Sequence, residues 1–172
     1  MFPLQASIFC FNFALVNTLR INILEGLTME NKNDKDLNKR AYTYLEWQES
    51  VFAEIEQKAK ESENTLQKFR DLAHNSPAHA IEYYSESVVI AAVTLQELSD
   101  FNDKLILHPT LTMLGIIKDK MKRYLQLYKH HDFRHNSTSL IANAINIWRN
   151  QAYADVFEIF ERAVNLHDRI DK

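Results

Sequence analysis

Between Met29 and Lys172 the chain contains a single glycine, Gly115, and only two prolines, Pro77 and Pro109. Folds built from β-strands need turn residues every few positions, whereas long helices joined by short polar loops need very few. The scarcity of glycine and proline therefore predicts an all-α protein. It also excludes from this part of the chain the glycine-rich phosphate loops and nucleophile elbows on which many enzymes depend.

Residues 1–28 differ from the rest, and we interpret them as an over-extended translation start. The apolar stretch 2–19 is followed by Arg20 instead of being preceded by a basic residue, so it is a poor signal peptide. It is also short for a membrane span, which needs roughly 20 apolar residues. Glu25-Gly26 must be encoded by a purine run like a bacterial ribosome-binding site, and Met29 follows two codons later. The alternative is a disordered or apolar leader, such as a membrane anchor or an extra helix.

Residues 29–172 form one predicted domain, which is long enough to bury a core. The only cysteine, Cys10, lies outside it, so neither disulfides nor thiol chemistry are expected there. We expect a cytoplasmic protein because no export signal is recognisable, and we expect no membrane span in 29–172 and no cofactor. The net charge of −3 is too small to indicate a nucleic-acid partner for the whole chain.

Apolar residues at three- and four-residue steps predict four long helices, at about 36–73, 77–101, 109–131 and 139–170. Long helices joined by short loops pack as antiparallel neighbours, so we expect an up-down four-helix bundle. Ser76 directly before Pro77 is typical of a helix start. The run from Val88 to Val93 is apolar all round, which indicates a helix segment enclosed by the others.

Three histidines, His130, His131 and His135, lie within six residues near the end of the third predicted helix. Histidines one helical turn apart can bind a metal ion. Polar and positive side chains also collect at helix C-termini, where they interact with the free carbonyls. We favour the second interpretation and expect no metal site. A di-iron bundle would need paired Glu-x-x-His motifs, which this sequence lacks.

The segment from Arg162 to His167 has an Arg-x4-His spacing that resembles the motif of the HEPN ribonucleases, which are all-α. The resemblance implies that Arg162 and His167 act on an RNA phosphodiester. It covers six residues, and Ala163 departs from the polar residue that often follows the arginine in that family. The alternative is that Arg162 pairs with acidic neighbours on the helix surface, Asp155 or Glu158.

Basic residues are concentrated in the third predicted helix. Residues 41–101 contain eleven acidic and four basic side chains, whereas residues 103–138 contain seven basic and three acidic ones. Lysines beside aromatic rings can bind a nucleic-acid backbone and stack on its bases. We favour the alternative, in which the tyrosines are core residues and the lysines face the acidic segment. The residues concerned are Lys118, Lys122 and Lys129, with Tyr124 and Tyr128 beside them.

The fourth predicted helix carries a second apolar stripe beside the one that faces its own bundle. Its four residues repeat at four, three and four positions, a spacing suited to packing on another helix. Aromatic residues are also enriched at the centres of protein interfaces. The alternative is that this helix packs on two neighbours inside its own bundle. The stripe consists of Tyr153, Phe157, Phe160 and Val164.

These patterns together favour a non-enzymatic helical-bundle interaction protein, acting as an adaptor, regulator or assembly factor. We expect it to bind a protein partner, or a second copy of itself, through the second stripe of the fourth helix. The first alternative is a HEPN-like ribonuclease that uses Arg162 and His167. The second is an amphipathic coat on an apolar surface, similar to phasins on storage granules, although no phasin motif is visible.

Overall fold

The computed structural model describes residues 35–108, 112–130 and 139–170, with side-chain surroundings for 43–108, 112–127 and 139–170. Within these ranges the chain forms four helices and no strand, which confirms the predicted all-α four-helix bundle. The predictions for residues 1–28 and for a helix start at 109–110 lie outside the described residues. The helices are α1 (Lys35–Asn75), α2 (Pro77–Leu107), α3 (Met113–His130) and α4 (Leu140–Ile170).

A single residue, Ser76, separates α1 from α2, and Pro77 begins α2 as its position in the sequence predicts. Proline is tolerated there because the first N–H groups of a helix have no partner within it. The backbone of Ser76 forms the turn: its N–H donates to the Leu72 carbonyl at 2.7 Å, and its carbonyl accepts from the Ala80 N–H at 3.0 Å. Ser76 is the N-cap residue, as predicted, but its hydroxyl makes no capping hydrogen bond.

The second helix is longer than its sequence suggests. We expected a connector over 102–108, but α2 continues to Leu107. The reason is that the apolar spacing continues past Phe101 to Leu105, which packs on the core, and that Asn102 is itself buried. The helix ends where the His108 N–H donates to a carbonyl four residues earlier, at 3.1 Å.

Hydroxyl side chains cap the starts of α3 and α4. The Thr112 hydroxyl accepts a hydrogen bond from the Gly115 N–H at 3.1 Å. The Ser139 hydroxyl accepts one from the Ala142 N–H at 3.3 Å. Each bond satisfies an N–H group that the helix itself leaves without a partner, and this fixes the residue at which the helix begins.

The core lies where the four helices meet. Trp47 connects α1 to α4, since its indole N–H donates to the Ala163 carbonyl at 2.8 Å. The rings of Phe101 on α2 and Phe160 on α4 lie 5.1 Å apart. Burial of such side chains is the main stabilising contribution to a bundle of this kind. The largest fully buried apolar side chains are Trp47, Ile55, Leu98, Phe101, Ile117, Val156 and Phe160.

Contacts between α1 and α4 occur in opposite order along the two helices. Trp47 meets Ala163, and eleven residues later Lys58 meets Asp155, with Nζ 3.0 Å from the carboxylate. This is the order expected of helices that run in opposite directions. The up-down order of the complete bundle stays a prediction.

The apolar run of α2 is not enclosed as expected. Within 88–93 only Ala91 is buried, Ala92 is exposed and the other side chains are half-buried. Neighbouring residues of a helix point to different sides, so with Ala91 facing the core the residues around it turn away from the core.

Candidate functional site

A buried polar cluster joins α2 to α3. Glu97 on α2 is 4% exposed and Lys120 on α3 is fully buried. The Lys120 ammonium donates to the Glu97 carboxylate at 2.8 Å and to the Glu97 backbone carbonyl at 2.9 Å. The Tyr124 hydroxyl donates to the same carboxylate oxygen at 2.7 Å. Arg123 lies at the rim, with its guanidinium 3.8 Å from the other carboxylate oxygen.

Burial and pairing shift the pKa values of all three groups. Burial alone would raise the pKa of Glu97, but the hydrogen bonds from Lys120 and Tyr124 and the charges of Lys120 and Arg123 hold it below the ordinary value of 4.5. Burial lowers the pKa of Lys120, and its bond to Glu97 offsets this only in part. Burial also raises the pKa of Tyr124, as does its bond to Glu97. Glu97 is thus ionised and Tyr124 protonated at neutral pH.

The cluster orients α3 on α2. The Lys120 amine has no exposed surface, so a substrate cannot reach it in this conformation. Three donated hydrogen bonds and an opposite charge compensate the cost of burying Lys120 and Glu97. We therefore interpret the cluster as a structural connection between the two helices.

The sequence contains a signal for this cluster. The interpretation of Lys118, Lys122 and Lys129 as a basic edge of the third helix did not use it. Among the α3 residues whose side chains the structure describes, the buried ones follow one another at steps of one, three and four residues: Met113, Ile116, Ile117, Lys120 and Tyr124. A lysine in the middle of such a series needs an acidic partner on a neighbouring helix. The partner, Glu97, could not be chosen from sequence among the eleven acidic residues of 41–101.

The predicted partner-binding stripe of α4 lies partly within the bundle. Phe160 is fully buried, and its ring lies 6.5 Å from that of Tyr124. Tyr153 stacks on the same Tyr124 ring at 5.6 Å. Phe157 and Val164 are partly buried and pack on the core. These contacts match the alternative in which α4 packs on two neighbours of its own bundle, and binding of a partner by the four residues stays a prediction.

The two residues of the HEPN-like spacing face different surroundings. The Arg162 guanidinium donates to the Glu54 carboxylate at 2.7 Å and lies 3.8 Å from Glu158, so the expected surface pairing with Glu158 is confirmed. The ring of His167 packs edge-on against Trp47 at 5.0 Å. Glu54 and Trp47 are seven residues apart on α1, or about 10 Å along the helix. Arg162 and His167 are themselves five residues apart on α4, or about 7.5 Å along it, so their joint action on a phosphodiester stays a prediction.

The basic edge of α3 is only partly available to a ligand. Lys118 and Lys122 are exposed, whereas the Tyr124 ring is buried and cannot stack on a base. The interpretation of Tyr124 as a core residue is thereby confirmed. The side chains of Tyr128 and Lys129 lie outside the described residues.

The histidine cluster falls largely outside the described part of the chain. His130 is the last residue of α3, without described side-chain surroundings, and His131 and His135 precede the next described residue, Ser139. Among the residues that the structure describes, no three potential ligands of the histidine, cysteine or carboxylate type come together to bind a metal ion. The expectation for the three histidines therefore stays a prediction.

Large apolar side chains are exposed near the N-terminal ends of α2 and α4. Leu140 is 87% exposed and Ile141 is 73% exposed, at the very start of α4. Ile147 lies two turns further on, and Ile81 and Tyr83 lie in the first turns of α2. Single exposed apolar residues are ordinary, but a group of them marks a surface that binds something. Ile81 and Tyr83 are two residues apart on α2 and point to opposite sides of it, so we refer to Leu140, Ile141 and Ile147 alone as the apolar end.

Two polar clefts flank α1. The larger, of about 330 Å³, lies between α1 and α4 and is lined by residues that include the ion pairs of Glu54 with Arg162 and of Lys58 with Asp155. The smaller, of about 240 Å³, lies between α1 and α2 and includes the buried Thr94. The larger cleft is lined by four carboxylates, Glu54, Glu61, Asp155 and Glu158, and by two basic side chains, Lys58 and Arg162, so acidic groups are in excess there.

None of the described helices is both long and apolar enough to cross a membrane. Comparison with models of known protein families, with curated proteins and with solved structures finds no match to this chain.

Proposed function

We propose that the protein is a non-enzymatic helical-bundle interaction protein of the cytoplasm, acting as an adaptor, regulator or assembly factor. The observation that supports this proposal is the apolar end. Its partner is a protein, or a second copy of the chain, that covers this surface with the participation of α4. The predicted stripe contributes indirectly. Tyr153, Phe157 and Val164 pack on the core and hold α4 in position, and Phe160 is fully buried.

Contact between water and the apolar end costs free energy, which a partner that covers this surface would recover. Leu140, Ile141 and Ile147 keep more than half of their surface exposed. Each Å² of apolar surface removed from water contributes about 25 cal/mol, so a partner that covers such side chains gains several kcal/mol. Soluble proteins rarely keep contiguous apolar patches without a use for them. Covering of this surface by a partner is the function that best accounts for it.

The ribonuclease alternative has less support. In that family the arginine and histidine act together on one phosphodiester, whereas here Arg162 is paired with Glu54 and His167 packs on Trp47. The amphipathic-coat alternative uses the same apolar end as the proposal does. It differs in what covers that end, which an experiment can separate.

A photo-crosslinking amino acid placed at Ile141 in the native cell tests the proposal. We expect adducts of defined mass that contain protein. The matched control is the same probe at Leu107, which is 71% exposed but lies at the opposite end of α2, about 39 Å from Ile81. Adducts with lipid or granule material would favour the coat instead. Equal labelling at both positions, or no adduct at Ile141, would contradict the proposal.

A further inference from the structure

The smaller cleft lies between facing sides of α1 and α2. Its walls have the same spacing on each helix, with residues 58, 61, 62 and 65 on α1 and residues 87, 90, 91 and 94 on α2. Residues at such steps share one side of a helix. Thr65 and Ser87 lie at equal distances in sequence from Ser76, and so do Lys58 and Thr94. Because α2 folds back along α1 at Ser76, each of these two pairs lies at one level of the cleft.

Hydroxyl groups from both helices line this cleft. They belong to Ser62, Thr65, Ser87 and Thr94. Ser62 is 5% exposed and Thr94 has no exposed surface, so these two residues form the floor of the cleft. A hydroxyl both donates and accepts hydrogen bonds. A floor of this kind therefore suits a ligand whose own polar groups also donate and accept.

The Thr94 hydroxyl is the unusual group in this cleft. It is buried and forms no hydrogen bond with any residue that the structure describes. A threonine within a helix commonly donates to the carbonyl four residues earlier, as Thr65 does to the Glu61 carbonyl at 3.0 Å. A buried hydroxyl without a partner lowers stability, so Thr94 offers a ligand in the cleft a hydrogen bond that its own helix does not use.

The charges and the size of the cleft favour a small neutral ligand. One basic and one acidic side chain line it, and each already has a partner. Lys58 Nζ lies 3.0 Å from the Asp155 carboxylate, and the Glu61 carboxylate accepts a hydrogen bond from the Gln57 amide at 3.0 Å. The volume of about 240 Å³ is smaller than that of sites for drug-sized ligands and corresponds to about eight water molecules.

We propose that this cleft binds a small neutral polyhydroxy compound, such as a sugar or a cyclitol, with one ligand hydroxyl bonded to Thr94. Ser62 and Ser87 bond to further hydroxyls of the ligand, and Ile90 lies against the apolar edge of its ring. Lys58 lies on the opposite wall at the level of Thr94, and its flexible side chain moves aside to admit the ligand to the floor. The site is separate from the apolar end, so it goes beyond the proposed function and does not depend on it.

NMR titration of the full chain with glycerol, glucose and myo-inositol at millimolar concentrations tests the proposal. We expect at least one of these compounds to shift the amide signals of residues that line the cleft, and the shifts to saturate. The matched control ligand is cyclohexanol, which has the ring size of myo-inositol but a single hydroxyl. It should bind at least about tenfold more weakly, because a site built to bond to hydroxyls rejects a ligand without them. No saturable shift with any of the three compounds, or equal affinity for cyclohexanol, would overturn the proposal.

Variants at Thr94 test the role of its hydroxyl. Thr94→Val keeps the shape of the side chain without the hydroxyl, so the affinity for the polyol should fall at least about tenfold. Without ligand this variant should be at least as stable as the wild type, since it no longer buries an unpaired hydroxyl. Thr94→Ser keeps the hydroxyl and should retain binding.

The matched control variant is Ser85→Ala, which removes a hydroxyl that donates to the Ile81 carbonyl outside the cleft and should leave binding unchanged. A Thr94→Val chain that binds the polyol like the wild type, or that unfolds more easily than the wild type, would overturn the proposal. Crosslinking from Ile141 tests the proposed function separately, so failure of one leaves the other in place.

Discussion

At the scale of single residues, Lys120 is the position where the cost of burying a charge is most closely offset by hydrogen bonds and an opposite charge. A lysine without exposed surface is costly, because its ammonium loses its water shell. Here the Glu97 carboxylate and carbonyl replace two of the lost hydrogen bonds, and the carboxylate also supplies the opposite charge. Such a pair adds little net stability compared with apolar residues. Removing one partner, however, leaves the other as a buried charge without compensation, which destabilises the fold.

Replacing Lys120 by methionine should therefore destabilise the fold by about 3–5 kcal/mol, since it leaves the Glu97 carboxylate buried without its main partner. Urea unfolding followed by circular dichroism measures the change. The matched control is Lys122→Met on the exposed side of the same helix, which should stay within about 0.5 kcal/mol of the wild type. Adding Glu97→Leu to Lys120→Met should recover part of the loss. Equal stability of the two single variants would contradict this account of the cluster.

The same cluster predicts how stability depends on pH. Because the pKa of Glu97 is below 4.5 in the folded chain, its ionised form contributes stability that is present above pH 4.5 and lost as the pH falls through the folded-state pKa. The lowered pKa of Lys120 makes stability fall as the pH drops below its ordinary value of 10.5, which is a separate contribution from that of the carboxyl. Glu97→Gln should remove this component. The unfolding free energy of this variant, measured by urea unfolding at a series of pH values, should fall less steeply than that of the wild type below pH 4.5. Equal slopes for the two proteins would contradict the assigned role of Glu97.

At the scale of helices, the short α3 decides which apolar residues are buried. Tyr124 on α3 covers Tyr153 and Phe160, two members of the stripe that the sequence marks as suited to helix packing. The four, three and four spacing identifies a packing surface, but it carries no information about whether the helix that covers it belongs to the same chain. That depends on where α3 lies, which follows from long-range contacts such as Lys120 with Glu97.

Phe160→Ala should accordingly cost about 3–5 kcal/mol of unfolding free energy, because it opens a cavity beside Phe101 in the core. The matched control is Leu166→Ala on the same helix, where the side chain is 38% exposed and the cost should be much smaller. Chemical denaturation of both variants provides the measurement. A loss below about 1 kcal/mol in Phe160→Ala would place this ring outside the core.

Helix number and type could be predicted from the sequence, whereas one helix end and the buried polar cluster could not. The apolar period and the Ser76-Pro77 pair locate α1 and the start of α2, because these signals are local. The stretch after Phe101 has the polar residues of a loop, yet Asn102 is buried in α2 because Leu105 continues the core-facing stripe. Packing against neighbouring helices overrides local preference at such positions.

At the scale of the whole molecule, the unequal helix lengths explain where the apolar surface is left. The 31 residues of α2 and of α4 extend beyond the 18 residues of α3, so among the described helices fewer lie at the level of Ile81 and Leu140. The half-buried run 88–93 lies beside this level. The bundle thus has one half tied by Glu97 and Lys120 and another half with exposed apolar residues, which the proposed association would cover.

Association of that kind makes thermal stability depend on protein concentration. A dimer that dissociates on unfolding gains stability by mass action, and for chains of this length each tenfold rise in concentration should raise the Tm by about 2 °C. Ile141→Glu should abolish this dependence without lowering the Tm measured at the lowest concentration, because its side chain is exposed in the single copy. Leu107→Glu should keep the wild-type slope. Differential scanning calorimetry over a hundredfold range distinguishes these cases, and a wild-type Tm independent of concentration would show that the bundle is stable without a second copy.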